Sequence, residues 1–139
     1  MPLDVERFIT TFSSTGNASD ADIHSIERHF GCKLPIEYII FLKARNDGEG
    51  FVGPQYLTLW NAHEVIQMNI KYEAEKYAPG LLLFDSSGGG EGFAFDLRVE
   101  NISIVAVPFI GMSLNDACQL ASSFNGFLEH LYESDGKLI

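Results

Sequence analysis

The chain has 139 residues, 46% of them hydrophobic, with 11 Phe and 5 Tyr. That composition fits one packed domain spanning 1–139 and argues against a disordered chain; a domain of this size buries roughly 68–70% of its unfolded surface without needing staples. Nineteen acidic against nine basic residues give a net charge of −10, which opposes nucleic acid by repulsion and suits a basic protein partner, although acidity also serves simply to keep a protein dispersed.

From the N-terminus, Val5, Phe8, Ile9 and Phe12 fall at helical spacing and predict a short first helix over Asp4 to Phe12. Met1, Pro2, Leu3 and Asp4 lack the basic start and apolar core of a signal peptide, and no apolar run reaches the ~20 residues that span a bilayer, so a cytoplasmic protein is expected. Ser19 followed by Asp20 and Asp22 reads as an N-cap with acids in the first turn, Ile23, Ile26 and Phe30 form its apolar stripe, and Gly31 is the stop. Leu34 and Pro35 open a third helix whose Ile36, Tyr38, Ile39, Ile40, Phe41 and Leu42 are apolar nearly all round, which predicts the central buried helix of the domain. Asn46 to Gly50 reads as a turn cluster, leading through Gly53 and Pro54 to a strand over Tyr56 to Trp60.

Asn61 with Glu64 forms a capping-box signature for a fourth helix that carries Val65, Met68 and Tyr72 and runs to Tyr77 before Pro79 and Gly80. The chain then enters a glycine-rich hairpin: a buried strand over Leu81 to Phe84, a reversal at Gly88, Gly89 and Gly90, and a second strand in which Phe93, Phe95 and Leu97 alternate with Ala94 and Asp96. Ile102 to Phe109 is a further strand, expected to pair with the second hairpin strand. Ser113 with Asp116 reads as the cap of a last helix through Ala117, Leu120, Ala121, Phe124, Leu128 and Leu131, with Gly126 a misfit that suggests close helix–sheet packing. Helices, then strands interrupted by one helix, then a closing helix predict an α+β domain with a mostly antiparallel sheet and helices packed against it.

Catalytic chemistry finds little support. His24, His29, His63 and His130 are scattered, and a five-residue spacing does not put His24 and His29 on one helix face as an i, i+4 metal pair requires. Cys32 and Cys118 are isolated and read as inert thiols. The triple glycine lacks the Gly-Lys-Ser/Thr ending of a phosphate-binding loop, joins two strands, and is flanked by acids that repel an anion. A hydrolase using Asp85, Glu91 and Asp96 would need them to converge in a cleft. No catalytic residue, metal or cofactor is therefore assigned.

A binding surface fits better. No Lys or Arg occurs over Asn46 to Ile70 or over Tyr77 to Leu97, so Asp47, Glu49, Asp85, Glu91 and Asp96 would form one negative face if the two glycine turns lie side by side. Ser86 and Ser87 belong to that turn. Phe51, Tyr56 and Trp60 are candidate aromatic anchors, with a core position at a strand end as the other reading of Trp60.

One ordered set of motifs carries a resemblance. Leu34-Pro35 with Tyr38 and Phe41-Leu42, Asn46-Asp47-Gly48-Glu49-Gly50, Leu57-Thr58-Leu59-Trp60, Gly88-Gly89-Gly90-Glu91 with Phe93-Ala94-Phe95-Asp96, and Ala121-Ser122-Ser123-Phe124-Asn125-Gly126-Phe127-Leu128 together resemble the SUKH superfamily, from about Ser19 to Tyr132. In that family the hairpin often reads Gly-Ser-Asp-Gly-Gly-Gly-Glu; here Asp85 stands near the first glycine and Ser87 at the aspartate. The resemblance implies an α+β fold and a non-enzymatic role. Many bacterial members look like immunity proteins that bind and neutralise a cognate toxin domain, often a nuclease or deaminase, while others resemble a fungal cell-wall-synthesis regulator. The expected partner is thus a basic toxin domain, with a regulatory or scaffolding role as the alternative and an uncharacterised hydrolase as the weakest reading.

Overall fold

The computed structural model describes Phe8, Phe12, Ser14 and residues 16–133. The expected N-terminal helix lies outside the described residues apart from Phe8 and Phe12, both buried. Five α-helices and a six-stranded antiparallel sheet, in which each strand pairs with the next along the chain, make up the described part and give the expected α+β architecture.

Helix α1 (Asp20–Phe30) begins where the cap signal places it: Ser19 and Asp22 exchange side-chain hydrogen bonds with each other's backbone, and Gly31 closes the helix in the left-handed conformation. Helix α2 (Ile36–Ala44) departs from expectation. It is not a central buried helix, because Tyr38, Phe41 and Leu42 face the core while Ile36 and Ile40, one turn apart, are exposed. Apolar residues all round this helix say only that every face tolerates burial; one sheet face can cover one side.

Strands β1 (Gly48–Val52) and β2 (Gln55–Leu59) form a hairpin turned at Gly53 and Pro54. The glycines at 48 and 50 thus lie within a strand and not in a turn cluster. A Cβ at Gly50 would come within 2.8 Å of the Phe12 ring, so the sheet accepts a neighbouring aromatic there in place of a side chain. Strands β3 (Leu81–Ser86), β4 (Glu91–Asp96) and β5 (Ile104–Pro108) follow, with a bulge between Leu83 and Asp85. Successive residues in all three are buried, so helices and loops cover both faces of the sheet centre. On one of these faces Phe84 stacks on Phe95 at 4.2 Å and 17°, and Tyr38, Phe124 and Phe127 pack around them.

Helix α3 (Ala62–Lys71) starts at the Asn61–Glu64 capping box and ends sooner than its apolar spacing suggests. Glu73 takes a left-handed φ of 54° and the chain restarts as α4 (Ala74–Tyr77), which tucks Ala74 and Ala78 against β3. Near the C-terminus Ser113 caps only a 3-10 turn over Leu114–Asp116; Cys118–Ala121 is strand β6, and helix α5 is Phe124–Tyr132. The spacing of Ala117, Leu120 and Ala121 is short enough to fit a strand as well, and the open edge of β5 decides in favour of pairing. Gly126 is explained by its cap: its N–H donates to Ser123 Oγ at 2.9 Å, and a Cβ would crowd that oxygen at 2.8 Å.

Candidate functional site

Strand alternation decides what the β1–β2 hairpin shows to solvent. Glu49 pairs with Thr58 and Phe51 with Tyr56 on one face, while Val52, Leu57 and Leu59 turn to the opposite face and are buried. On the outer face the Phe51 ring meets the Tyr56 ring edge-on at 5.1 Å and remains 63% exposed, a large apolar group held in place without being covered. The Tyr56 hydroxyl donates to Glu49 Oε2, a bond that also raises the phenol above its ordinary range.

The glycine turn lies against this cluster. Gly88 has φ 76° and its missing Cβ would come within 3.1 Å of the Tyr56 ring, so a side chain there would be strained and would press on Tyr56. Ser86, opposite Thr58, extends the face into β3. Ser87 organises the turn from inside: its hydroxyl donates to Glu91 Oε1 at 2.9 Å and accepts from the Gly89 N–H at 3.0 Å, while its own N–H reaches the Glu91 carbonyl at 3.0 Å. Glu91 is thereby fixed beside the turn, where the register (Thr58 with Ser86, Ser86 with Gly92) sets it on the Phe93 side of the sheet and not on the side of Tyr56 and Thr58.

The other predicted positions are placed differently. Trp60 is 4% exposed and its N–H reaches the Phe84 carbonyl at 3.4 Å; it closes the core and anchors nothing outside. Asp85 is fully buried, since pairing with Leu59 and Phe93 turns it to the core side. Asp96 lies at the other end of β4, opposite Leu81, buried and held by two bonds of 2.9 Å from Arg98, which keep its carboxyl below the ordinary range. Asp47 is half-buried at the α2–β1 junction, its N–H donating to the Arg45 carbonyl. Of the five expected carboxylates only Glu49 therefore meets Tyr56, while Glu91 lies at the neighbouring glycine turn. Thr58 joins the cluster without having been singled out; its signal was the run of Gly48 to Val52 opposite Gln55 to Leu59 about a Gly-Pro turn.

Among the described residues no three His, Cys, Asp or Glu side chains gather as a metal site. A hollow of about 430 Å³, lined by residues including His29, Phe30, Glu73 and Leu97, opens at the Leu81 end of β3, away from the glycine turn. What the hairpin face and the adjoining turn offer is an exposed aromatic step, a carboxylate bonded to Tyr56, and a hydrogen-bonded turn that holds Glu91, the elements of a surface that recognises by contact and charge. Among the described residues no helix is long and apolar enough to cross a membrane. Comparison with curated proteins returned no match. Residues 17–130 match the SMI1 / KNR4 family (SUKH-1), a span that takes in every strand and nearly all of the five helices, and the chain belongs to that family.

Proposed function

We propose that the chain is a single, non-enzymatic protein-binding domain, cytoplasmic and without a cofactor, that neutralises a basic toxin domain such as a nuclease or deaminase by docking its outer β1–β2 face over the toxin's active site. The observation that carries this reading is the Phe51–Tyr56–Glu49 cluster: an exposed ring clamped by a neighbour, beside a carboxylate, in a stretch without Lys or Arg. A buried aromatic anchor supplies affinity, and the carboxylates steer a basic partner and compete for groups that would otherwise hold nucleic-acid phosphates. Asp47, Ser86, Ser87 and Glu91 frame the contact, with Trp60, Asp85 and Asp96 supporting the sheet behind it.

The test is co-expression with a toxin domain encoded beside this gene, followed by affinity measurement. Phe51→Ala is expected to weaken binding about 30-fold, the scale of an interface hot spot. Glu49→Lys with Glu91→Lys is expected to slow association and flatten its salt dependence. Full toxin rescue by all three substitutions together would remove the face from the reading. A second reading, a regulatory or scaffolding domain of the cell-wall-regulator type, is favoured by the SMI1 / KNR4 match itself; a gene with no toxin beside it and a binding partner that is not a toxin would support it.

A further inference from the structure

The hairpin that carries Glu49, Phe51 and Tyr56 joins the rest of the sheet through two residue pairs, Thr58 with Ser86 and Leu59 with Asp85. The Trp60 N–H adds one longer bond, 3.4 Å, to the Phe84 carbonyl; there β2 has ended and the chain turns into α3, whose Asn69 accepts from the Leu83 N–H at 3.0 Å and donates to the Leu83 carbonyl at 2.8 Å. Asp85 lies in the seam itself. Its side chain is 0% exposed, and neither carboxyl oxygen has a hydrogen-bond partner among the described residues; the same holds for the buried Tyr38 hydroxyl.

Leu59 from β2 and Phe93 from β4 pair with Asp85, and the phenol of Tyr38 from α2 lies near enough to feel its charge; of these only the phenol titrates. From α5, Phe127 closes over Phe93 and Phe84. No described cation offsets the burial, which holds the Asp85 carboxyl well above its ordinary range; burial, and then Asp85 itself, raises the Tyr38 phenol. A charged carboxylate in such surroundings is unfavourable unless it reaches water. Of the two strands beside Asp85, β2 is held to β3 by fewer pairs, two against five for β4.

We propose that Asp85 is a proton-operated latch on the β1–β2 hairpin: with the carboxyl neutral the seam is closed, and ionisation releases the hairpin from β3. The latch would regulate the docking face proposed above, and its biological meaning rests on that reading. The sign follows from linkage. The closed form holds its proton to higher pH than the open form, so closure is fully favoured below the ordinary carboxyl range. Above it the closed-to-open ratio falls, by up to about tenfold per pH unit, until the closed form itself ionises. Opening also exposes Val52, Leu57 and Leu59, which keeps the open form a minority that amide exchange detects.

The experiment is hydrogen exchange on the full chain between pH 5 and pH 8, corrected for intrinsic exchange and without any partner. Protection at Leu57, Leu59 and Trp60 is expected to fall by up to about tenfold per pH unit while Phe95 and Val105 hold theirs, and the isosteric Asp85→Asn is expected to abolish that slope. The same slope in Asp85→Asn, or a loss spread evenly over the sheet, would overturn the latch. Should Asp85→Asn fail to fold, the wild-type carboxyl is followed by ¹³C NMR: ionisation well above the ordinary carboxyl range supports the proposal, and ionisation within it overturns it. Because no toxin is present, these outcomes stand apart from whether the face binds one.

Discussion

The two halves of this sheet use the same strand geometry to opposite ends. In β3, β4 and β5 successive residues are buried, and one face is packed with aromatic rings from the strands, α2 and α5. In β1 and β2 only one face is buried; the other displays Phe51, Tyr56 and Glu49 on strands lightened by Gly48 and Gly50. The centre supplies stability through burial, and the edge gives up some of that burial to keep an aromatic step exposed. Asn69 marks the boundary: past the end of β2 its side-chain amide takes the edge of β3 that a strand would otherwise hold.

The largest effect that sharpens this contrast belongs to the centre. Phe84→Ala removes a fully buried ring that touches Phe95, Tyr38, Phe124 and Phe127, and is expected to cost about 3–5 kcal/mol in urea unfolding. That is a large share of the roughly 5–15 kcal/mol available to a domain. Next comes the boundary. Asn69→Ala leaves the Leu83 N–H and C=O without their partner in a buried position, at about 1–3 kcal/mol for each unsatisfied group. A cost below about 1 kcal/mol would show that the β3 edge does not depend on the amide, breaking the distinction between the two halves.

Two buried acids give opposite pH slopes. Hydrogen bonds from Arg98 keep Asp96 ionised, so its contribution is present above the ordinary carboxyl range and is lost as pH falls through the lower folded value. Asp85, raised by burial, loses its contribution as pH rises. Asp96→Asn is therefore expected to flatten the acid limb of a stability–pH curve by about 1 kcal/mol, reduced because Arg98 is half in water, and to leave the alkaline limb to Asp85.

Much of the architecture was legible because local chemistry and tertiary packing agree. Ser19 with Asp22 and Asn61 with Glu64 start α1 and α3 by bonds that involve only their own turns. The glycine turn between two apolar runs places β3 and β4, since any reversal there must bring them together. Where packing decides, the sequence was silent or misleading. The residues of β6 have a spacing compatible with a helix and become a strand because β5 offers an edge. Asp85 reads as a solvent-facing acid of a hairpin, yet the bulge at Phe84 and pairing with Leu59 turn it inward. Phe51, Tyr56 and Glu49 could be expected to share one side of a hairpin from alternation alone, and of the two readings of Trp60 the core position at a strand end is the one the fold adopts; the burial of Asp96 was not legible, since it depends on packing beyond its own strand.

The smallest expected stability effect is the most discriminating. Phe51→Ala removes a ring that is largely in water, so unfolding free energy should change by less than about 0.5 kcal/mol, with the Tyr56 contact the main loss. A core ring of the same chemistry costs several times more, so residue type cannot explain the difference; only its place in the sheet can. If Phe51→Ala instead destabilised the chain by 2 kcal/mol or more, the ring would be structural, and the β1–β2 face would be one more packed surface. If the substitution leaves stability unchanged and removes partner binding, the edge keeps Phe51 exposed for contact alone, and the division of the sheet into a stabilising centre and a recognising edge holds at the level of a single side chain.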